Sequence, residues 1–485
     1  MNGFSVIDWV LVVAYFVVFM WVGKWSTSKV KTTEDYLLAG RQLGKIPAAL
    51  STAATDFGGS GLVGCAGLAY TVGIAGGWWD VAATPAWLIL GFFIVGRMRR
   101  IRISTVPEML EKRYDLKTRL VASTLFLANA IVTITAQTKV SAIAFTSVTG
   151  IPEFYTVIIA TILFVVITTT GGLVAVAWTD VLLFCVLMAG VITVVPLSIA
   201  KVGGISAMIS ATPESFWDPW ALGYMVPAAW VFMCFYNYGS RQNFLQRVFA
   251  SKDVPTARFA YTFTGVAYIF YGLFVALLGI AAYIIVPGLE NQDMAFAELV
   301  KNVLPIGLKG LILASLLAAT MSTSDSILNS ATSIFSYDIY QRVINPNAGE
   351  KEMLLVSRVA TVVIAALSMV ATYMMGNVVS IIVLASLIYS AGVFFPLILG
   401  LYNRRLNAHG AFVAVLIGGV VSLISKFYLY QHVEGFFGAL HPMFTGSFAS
   451  LAALLVISYV TKPPAPEKIH FIDELKMGVD ELKGV

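Results

Sequence analysis

Apolar runs of membrane length, separated by short polar connections, fill this chain from end to end. A bilayer crossing takes roughly 20 apolar residues. On that measure about thirteen spans are expected, at 4–23, 45–72, 74–97, 119–147, 153–171, 174–200, 222–241, 258–286, 303–338, 356–375, 378–402, 409–430 and 438–461. A helix satisfies its own backbone polar groups in lipid, so the expected fold class is an all-α polytopic membrane protein. The first run, from about Phe4 to Val22, has no basic region ahead of it and no small-residue cleavage site. It reads as a retained span, not a signal peptide.

Composition strengthens this reading. Of 485 residues, 58% are hydrophobic and 12% charged, where a soluble domain carries about 25% charge. The formal charge of +5 does not point to nucleic acid, because the bases sit in short connections between apolar spans. Lys24, Lys29, Lys31, Arg41 and Lys45 follow the first span, and Arg97, Arg99, Arg100, Arg102, Lys112, Arg113, Lys117 and Arg119 the third. Arg241, Arg247, Lys252 and Arg258 follow the seventh, with further bases after the ninth and eleventh. By the positive-inside rule a plasma-membrane protein is expected, with its N-terminus extracellular and its C-terminal tail cytoplasmic. Cys65, Cys185 and Cys234 fall within apolar segments and suggest neither a disulfide framework nor metal-ligand spacing.

Two spans carry interruptions. The second contains Thr55-Asp56-Phe57-Gly58-Gly59-Ser60-Gly61, and the seventh runs into Asn237-Tyr238-Gly239-Ser240. Glycine-interrupted spans in matching places of two halves point to a transporter site. The organisation expected is a first helix and loop at 1–40, a five-helix repeat at 41–205, a second at 206–405, two added helices at 406–461 and a tail at 462–485.

Polar residues inside spans are costly unless they bind something. The run Met321-Ser322-Thr323-Ser324-Asp325-Ser326 lies within the ninth span. On a helix Ser322 and Ser326 share a face, with Thr323 and Asp325 beside them. Hard oxygen donors without histidine or thiolate suit a hard cation, and a dehydrated alkali ion is the expected guest. Counting from Lys45 at about 1.5 Å per residue puts Asp56 roughly 16 Å deep, either as a binding group or as a cap on the broken helix. Asp180 and Asp325 belong to the inner half of their spans, and Asp180 reads equally as a helix-starting acid. Lys139, in the fourth span, either pairs with Asp56 or Asp80 or holds a solute carboxylate. Asp80, after Trp78 and Trp79, reads more simply as an acid at the membrane interface. Trp230, Phe235, Tyr236 and Tyr238 are candidates for a solute-facing wall.

Four motifs then stand in order: Ala54-Thr55-Asp56-Phe57-Gly58-Gly59; Gly171-Gly172-Leu173 leading to Trp178-Thr179-Asp180; Gly239-x-x-Gln242-x-x-x-Gln246-Arg247; and Met321 to Ser326. Together they resemble the sodium:solute symporter family, whose members transport proline, pantothenate, sugars, sialic acid, choline and monocarboxylates. The resemblance runs from about residue 35 to 405. It implies a leucine-transporter-like five-plus-five inverted repeat working by alternating access. It also implies a sodium site from the carbonyls of Ala54, Phe57 and Ala319 with the hydroxyls of Ser322 and Thr323. A second sodium site, present in some members, would map to Asp180, Ser322, Asp325 and Ser326. The chain departs from the family at Asp325, where some two-sodium members have a hydroxyl, at Leu183 for Gln, and at Arg241 for Asp or Asn. Lys139 is a further departure.

The expected function is therefore sodium-coupled import of a small organic solute, not catalysis, since no nucleophile pairs with a base. The expected solute-binding residues are Thr55, Asp56, Gly59, Trp79, Asp80, Gln137, Lys139, Phe235 and Tyr238. Asp56 and Asp80 with one Lys139 suit a zwitterion such as an amino acid or betaine. A monocarboxylate or sugar symporter, or a proton-coupled carrier, is the alternative. The sequence does not reveal the oligomeric state.

Overall fold

A computed structural model describes residues 5–27, 38–100, 103, 105–168, 173–430 and 440–477. Gly171 and Gly172 of the second motif, Lys29, Lys31 and Arg102 lie outside the described residues. Helical segments stand at all thirteen expected positions: α1 (Val6–Thr27), the α2–α3 pair (Lys45–Asp56 and Gly59–Val72), α4 (Ala83–Phe93), and, after the short α5 (Val106–Arg113), α6 (Leu116–Thr149), α7 (Glu153–Thr168) and α8 (Leu173–Val202). The α9–α10 pair (Met225–Ser240 and Gln242–Ala250) and α11 (Val254–Ile285) follow. After the short α12 (Ala295–Val303) come α13 (Leu308–Ser333, continued as a π-helix over Ile334–Ile344), α14 (Glu350–Met374), α15 (Val378–Gly400), α16 (Ala408–Ile424) and α17 (Pro442–Val460). Among the described residues, nine helical runs are long and apolar enough to cross a membrane unaided. The other expected spans are short apolar helices, Val6–Val22 and Glu153–Ile162, or interrupted ones.

Helix ends are set by ordinary capping chemistry. Asp115 accepts from the Thr118 amide at the start of α6, and Asp253 does the same for Thr256 in α11. Each ties down an amide left orphaned at a helix N-terminus. Thr105 and Asn407 serve α5 and α16 in the same way. At its other end α6 stops at Gly150, whose φ of +73° is the left-handed conformation of a C-terminal stop.

Burial separates the centre from the rim. The most apolar stretch of α13 and its continuation is 89% buried, against 33% for α16 and 39% for α17. Yet α13 is less hydrophobic than α16 or α17. The hydroxyl-rich helix is thus surrounded by protein while the more apolar helices face outward. That is where polar side chains avoid lipid. Around α13 stand α6, α8, α14 and α2–α3.

Both interruptions occur, one of them displaced. In the second span, α2 ends at Asp56, Gly58 is extended (ψ 166°), and α3 restarts at Gly59. In the seventh, the helix continues through Asn237-Tyr238-Gly239-Ser240 and breaks one residue later at Arg241 (φ −75°, ψ 132°). Three bases counted as loop charges are in fact buried: Arg113, Arg241 and Arg247. Arg113 donates to the carbonyls of Gly400, Asn403 and Leu406. These three say nothing about orientation.

Candidate functional site

The break at Phe57-Gly58 opens the site. The last turn of a helix leaves its carbonyls without intrahelical partners. Here the Phe57 amide closes on Ala53, which leaves Ala54 in that unsatisfied turn. Thr323 of α13 sits against the gap. A β-carbon on Gly58 would stand 3.0 Å from Thr323 Oγ1, and one on Gly59 only 2.4 Å from Thr320 Cγ2. Glycine is therefore required for α13 to come this close. Thr323 Oγ1 donates to the Ala319 carbonyl at 3.0 Å, one turn back, so two of the expected sodium ligands are neighbours beside the broken helix.

A second cluster lies beside it. Ser322 donates to Asp180 Oδ1. Ser51 of α2 donates to Asp180 Oδ2 at 2.6 Å, and Arg247 Nη2 reaches the same oxygen at 3.2 Å. Arg247 also contacts Ser51 Oγ (3.2 Å) and Ser326 Oγ (3.5 Å). Asp180 and Arg247 are each 1% exposed, so the expected second-sodium residues Asp180, Ser322 and Ser326 gather around a resident guanidinium. Asp325 is half-buried on the same helix.

Next to Thr323 is a cavity of about 70 Å³, lined by Thr55, Asp56, Ser60, Gly61, Trp79, Asp80, Thr133, Gln137, Asn237, Tyr238, Arg241, Phe244, Tyr268, Thr323 and Ile327 among others. Small-molecule sites start near 300 Å³, so this is a contracted cavity that must widen to admit a solute. An aromatic box fixes Asp56. Trp87 Nε1 donates to its Oδ2 at 3.3 Å, and the Tyr238 and Tyr268 hydroxyls lie against the same carboxylate. Trp87 in turn stacks on Tyr238 with ring centroids 4.1 Å apart. Gln137 Nε2 donates to Ser60 Oγ, and Asn237 is held by Ser386 and Ser390. Arg241 donates from Nη2 to Thr133 at 2.7 Å.

Of the nine expected solute residues, Thr55, Asp56, Trp79, Asp80, Gln137 and Tyr238 line this cavity. Asp80 is 3% exposed, meets the Cys65 thiol, and has no hydrogen-bond partner for Oδ2 among the described residues, so it is a buried acid and not a solvated interfacial one. Gly59 serves helix approach instead. Phe235 is half-buried outside the lining, and of the other proposed wall residues Trp230 packs edge-on against Trp79. Lys139 pairs with neither Asp56 nor Asp80. Its Nζ donates to the carbonyls of Met375 (3.4 Å) and Gly376 (2.5 Å) just past the end of α14, where a cation meets the negative end of a helix. Arg241, Arg247, Trp87, Tyr268 and Ser51 were missed. The two arginines lie in or beside the third motif, and their position at a helix break was the available signal.

The sequence model of the sodium:solute symporter family matches residues 36–418. The chain belongs to the sodium:solute symporter family. Its similarity to the sodium/glucose cotransporter of Vibrio parahaemolyticus is 27% identity over 469 residues, covering 88% of this chain and 86% of that one. To the human sodium/myo-inositol cotransporter 2 it is 26% over 539 residues, covering 96% and 78%. Among solved structures, a Na⁺-coupled sialic acid symporter in a substrate-bound outward-open state superposes with TM-score 0.79 at 22% identity, covering 95% of this chain and 99% of that one. Mhp1, a nucleobase-cation-symport-1 family transporter, gives 0.62 at 15% identity, over 92% and 99%. The fold is leucine-transporter-like, as the family resemblance implied. As a family member this multi-pass membrane protein is a sodium-coupled solute symporter and not an enzyme, and Na⁺ is a co-substrate rather than a cofactor.

Proposed function

We propose that this symporter imports a small, electrically neutral polar solute, with one sodium ion held between the broken second span and α13. The observation that carries this is Thr323, which stands at the Gly58 break, bonds the Ala319 carbonyl and also lines the solute cavity. Sodium at Ala54, Phe57, Ala319, Ser322 and Thr323 would tie α2–α3 to α13 and order the cavity beside Asp56. Solute and sodium would then raise each other's affinity by the same factor. The repeats fall at 41–205 and 206–405 in this reading, with the N-terminus outside and the tail in the cytoplasm. Asp180 is already neutralised by Arg247, which supports a single sodium over two.

Formal charge bounds the solute. Asp56, Asp80, Arg241 and one Na⁺ sum to zero, so a neutral solute keeps the buried site balanced while a monocarboxylate does not. The named relatives carry glucose and myo-inositol, and this favours a sugar or polyol over the zwitterion expected from the sequence. Gln137, Asn237 and the two carboxylates are suitable partners for hydroxyls. A zwitterion remains the second reading because the lining holds fixed charges of both signs. The test is uptake into proteoliposomes of labelled sugars, polyols, amino acids and betaines, with and without an inward sodium gradient. Sodium-driven uptake of a neutral solute is expected. Uptake driven by a proton gradient alone would refute the sodium reading.

A further inference from the structure

Two charged groups on the cavity lining keep unused hydrogen-bonding capacity. Asp80, on the short helix Trp78–Val81, meets the Cys65 thiol, yet its Oδ2 has no hydrogen bond among the described residues although the side chain is 3% exposed. Burying an unpaired carboxylate oxygen is expensive. Arg241 interrupts the seventh span, is 6% exposed, and makes a single hydrogen bond among the described residues, from Nη2 to Thr133. A guanidinium has five donors in a planar fork. Asp56 interacts electrostatically with both, and its own carboxylate is taken up by the aromatic box.

We propose that Arg241 is a specificity-determining residue that pairs with a carboxylate on the solute, while Asp80 accepts from an ammonium at its other end. Asp56 already gives Arg241 a counter-charge, but the fork makes one hydrogen bond among the described residues, and a solute carboxylate would fill its remaining donors with a charge-assisted, bidentate pair that a neutral hydroxyl cannot make. A zwitterion engages both Arg241 and Asp80 and leaves the net charge of the site unchanged. The walls suit such a ligand, because Trp79 and Tyr268 line the cavity and an ammonium is attracted to aromatic faces. The inference rests on the sodium-coupled reading of this cavity and takes up its second, zwitterionic reading on the strength of Arg241, against the sugar or polyol that the named relatives favour.

The test uses the full-length protein in detergent, with intrinsic tryptophan fluorescence as the binding signal, since Trp79 lines the cavity. Three pools are titrated in NaCl and in KCl: the standard amino acids, the corresponding amino-acid amides, and glucose with galactose and myo-inositol. The zwitterion pool is expected to bind in sodium at least about tenfold more tightly than the amides or sugars, the loss expected when a charge-assisted pair is removed. Arg241→Gln should erase the preference for acids over amides, and Arg241→Lys should restore it in part. If Arg241→Gln does not fold, Asp80→Asn gives the complementary result, weaker zwitterion binding with carboxylate recognition kept. Sodium-dependent binding of the sugar pool that is unaltered in Arg241→Gln overturns this inference and leaves symport standing. Binding of every pool that is identical in NaCl and KCl would count against the symport reading itself.

Discussion

Removing Arg247 tests whether the buried Asp180 pair is a structural charge clamp. The two side chains are each 1% exposed and 3.2 Å apart, with Ser51 and Ser322 completing the carboxylate's hydrogen bonds. Taking one partner from a buried pair strands the other charge and typically costs about 3–5 kcal/mol. Arg247→Ala should therefore be severely destabilised. Asp180→Asn with Arg247→Ala removes both charges together, and should recover about 2–3 kcal/mol relative to the sum of the single changes. The assay is denaturation of purified protein in a fixed detergent, run as a double-mutant cycle in KCl. Sodium sharpens the test. In Arg247→Ala the freed Asp180 carboxylate stands beside Ser322 and Ser326, so Na⁺ can replace the lost guanidinium. At sodium about a hundredfold above its dissociation constant, that binding would return about 2.7 kcal/mol. Additivity of the two single substitutions within about 0.5 kcal/mol, with no extra sodium stabilisation of Arg247→Ala, would refute the clamp.

Three further outcomes follow from the geometry. Gly59→Ala places a methyl 2.4 Å from Thr320 Cγ2 and 2.9 Å from Val140 Cγ1; it should cost about 1–3 kcal/mol of stability, read by thermal denaturation. Trp87→Phe keeps the ring stack on Tyr238 but deletes the donor to Asp56; the loss of a hydrogen bond to a charged group, about 1.5–3 kcal/mol, should appear as weaker solute affinity in uptake assays. Lys139→Met should leave the solute KM within about twofold of wild type, because Lys139 bonds backbone carbonyls outside the cavity.

Much of this molecule was legible because lipid imposes simple rules. Span length gave the helix positions, and the glycines at 58 and 59 marked the break in the second span. The hydroxyls of Ser322 and Thr323 were conspicuous only because their surroundings are apolar. What failed was everything that depends on direction rather than depth. Lys139 lies within its span as expected, but a long side chain can reach a neighbouring helix end, and sequence does not say which. Arg241 and Arg247 look like loop bases because hydropathy falls at a helix break as it does at a membrane edge. Trp87 carried no signal of its own, since one indole in an apolar run usually packs or marks the interface. Phe235 and Tyr238 read alike in sequence, and only the helix phase before the Arg241 break separates them.

The central claim is that the unwound segment at Ala54–Phe57 and the hydroxyl helix at Ala319–Thr323 hold one sodium between them. Binding of radiolabelled Na⁺ to the purified protein, measured by scintillation proximity, addresses it directly and requires no knowledge of the solute. Saturable binding is expected in the wild type, with Ser322→Ala and Thr323→Ala each weakened about tenfold or more, equivalent to about 1.4 kcal/mol. Binding curves for both variants that overlay the wild type would contradict the account.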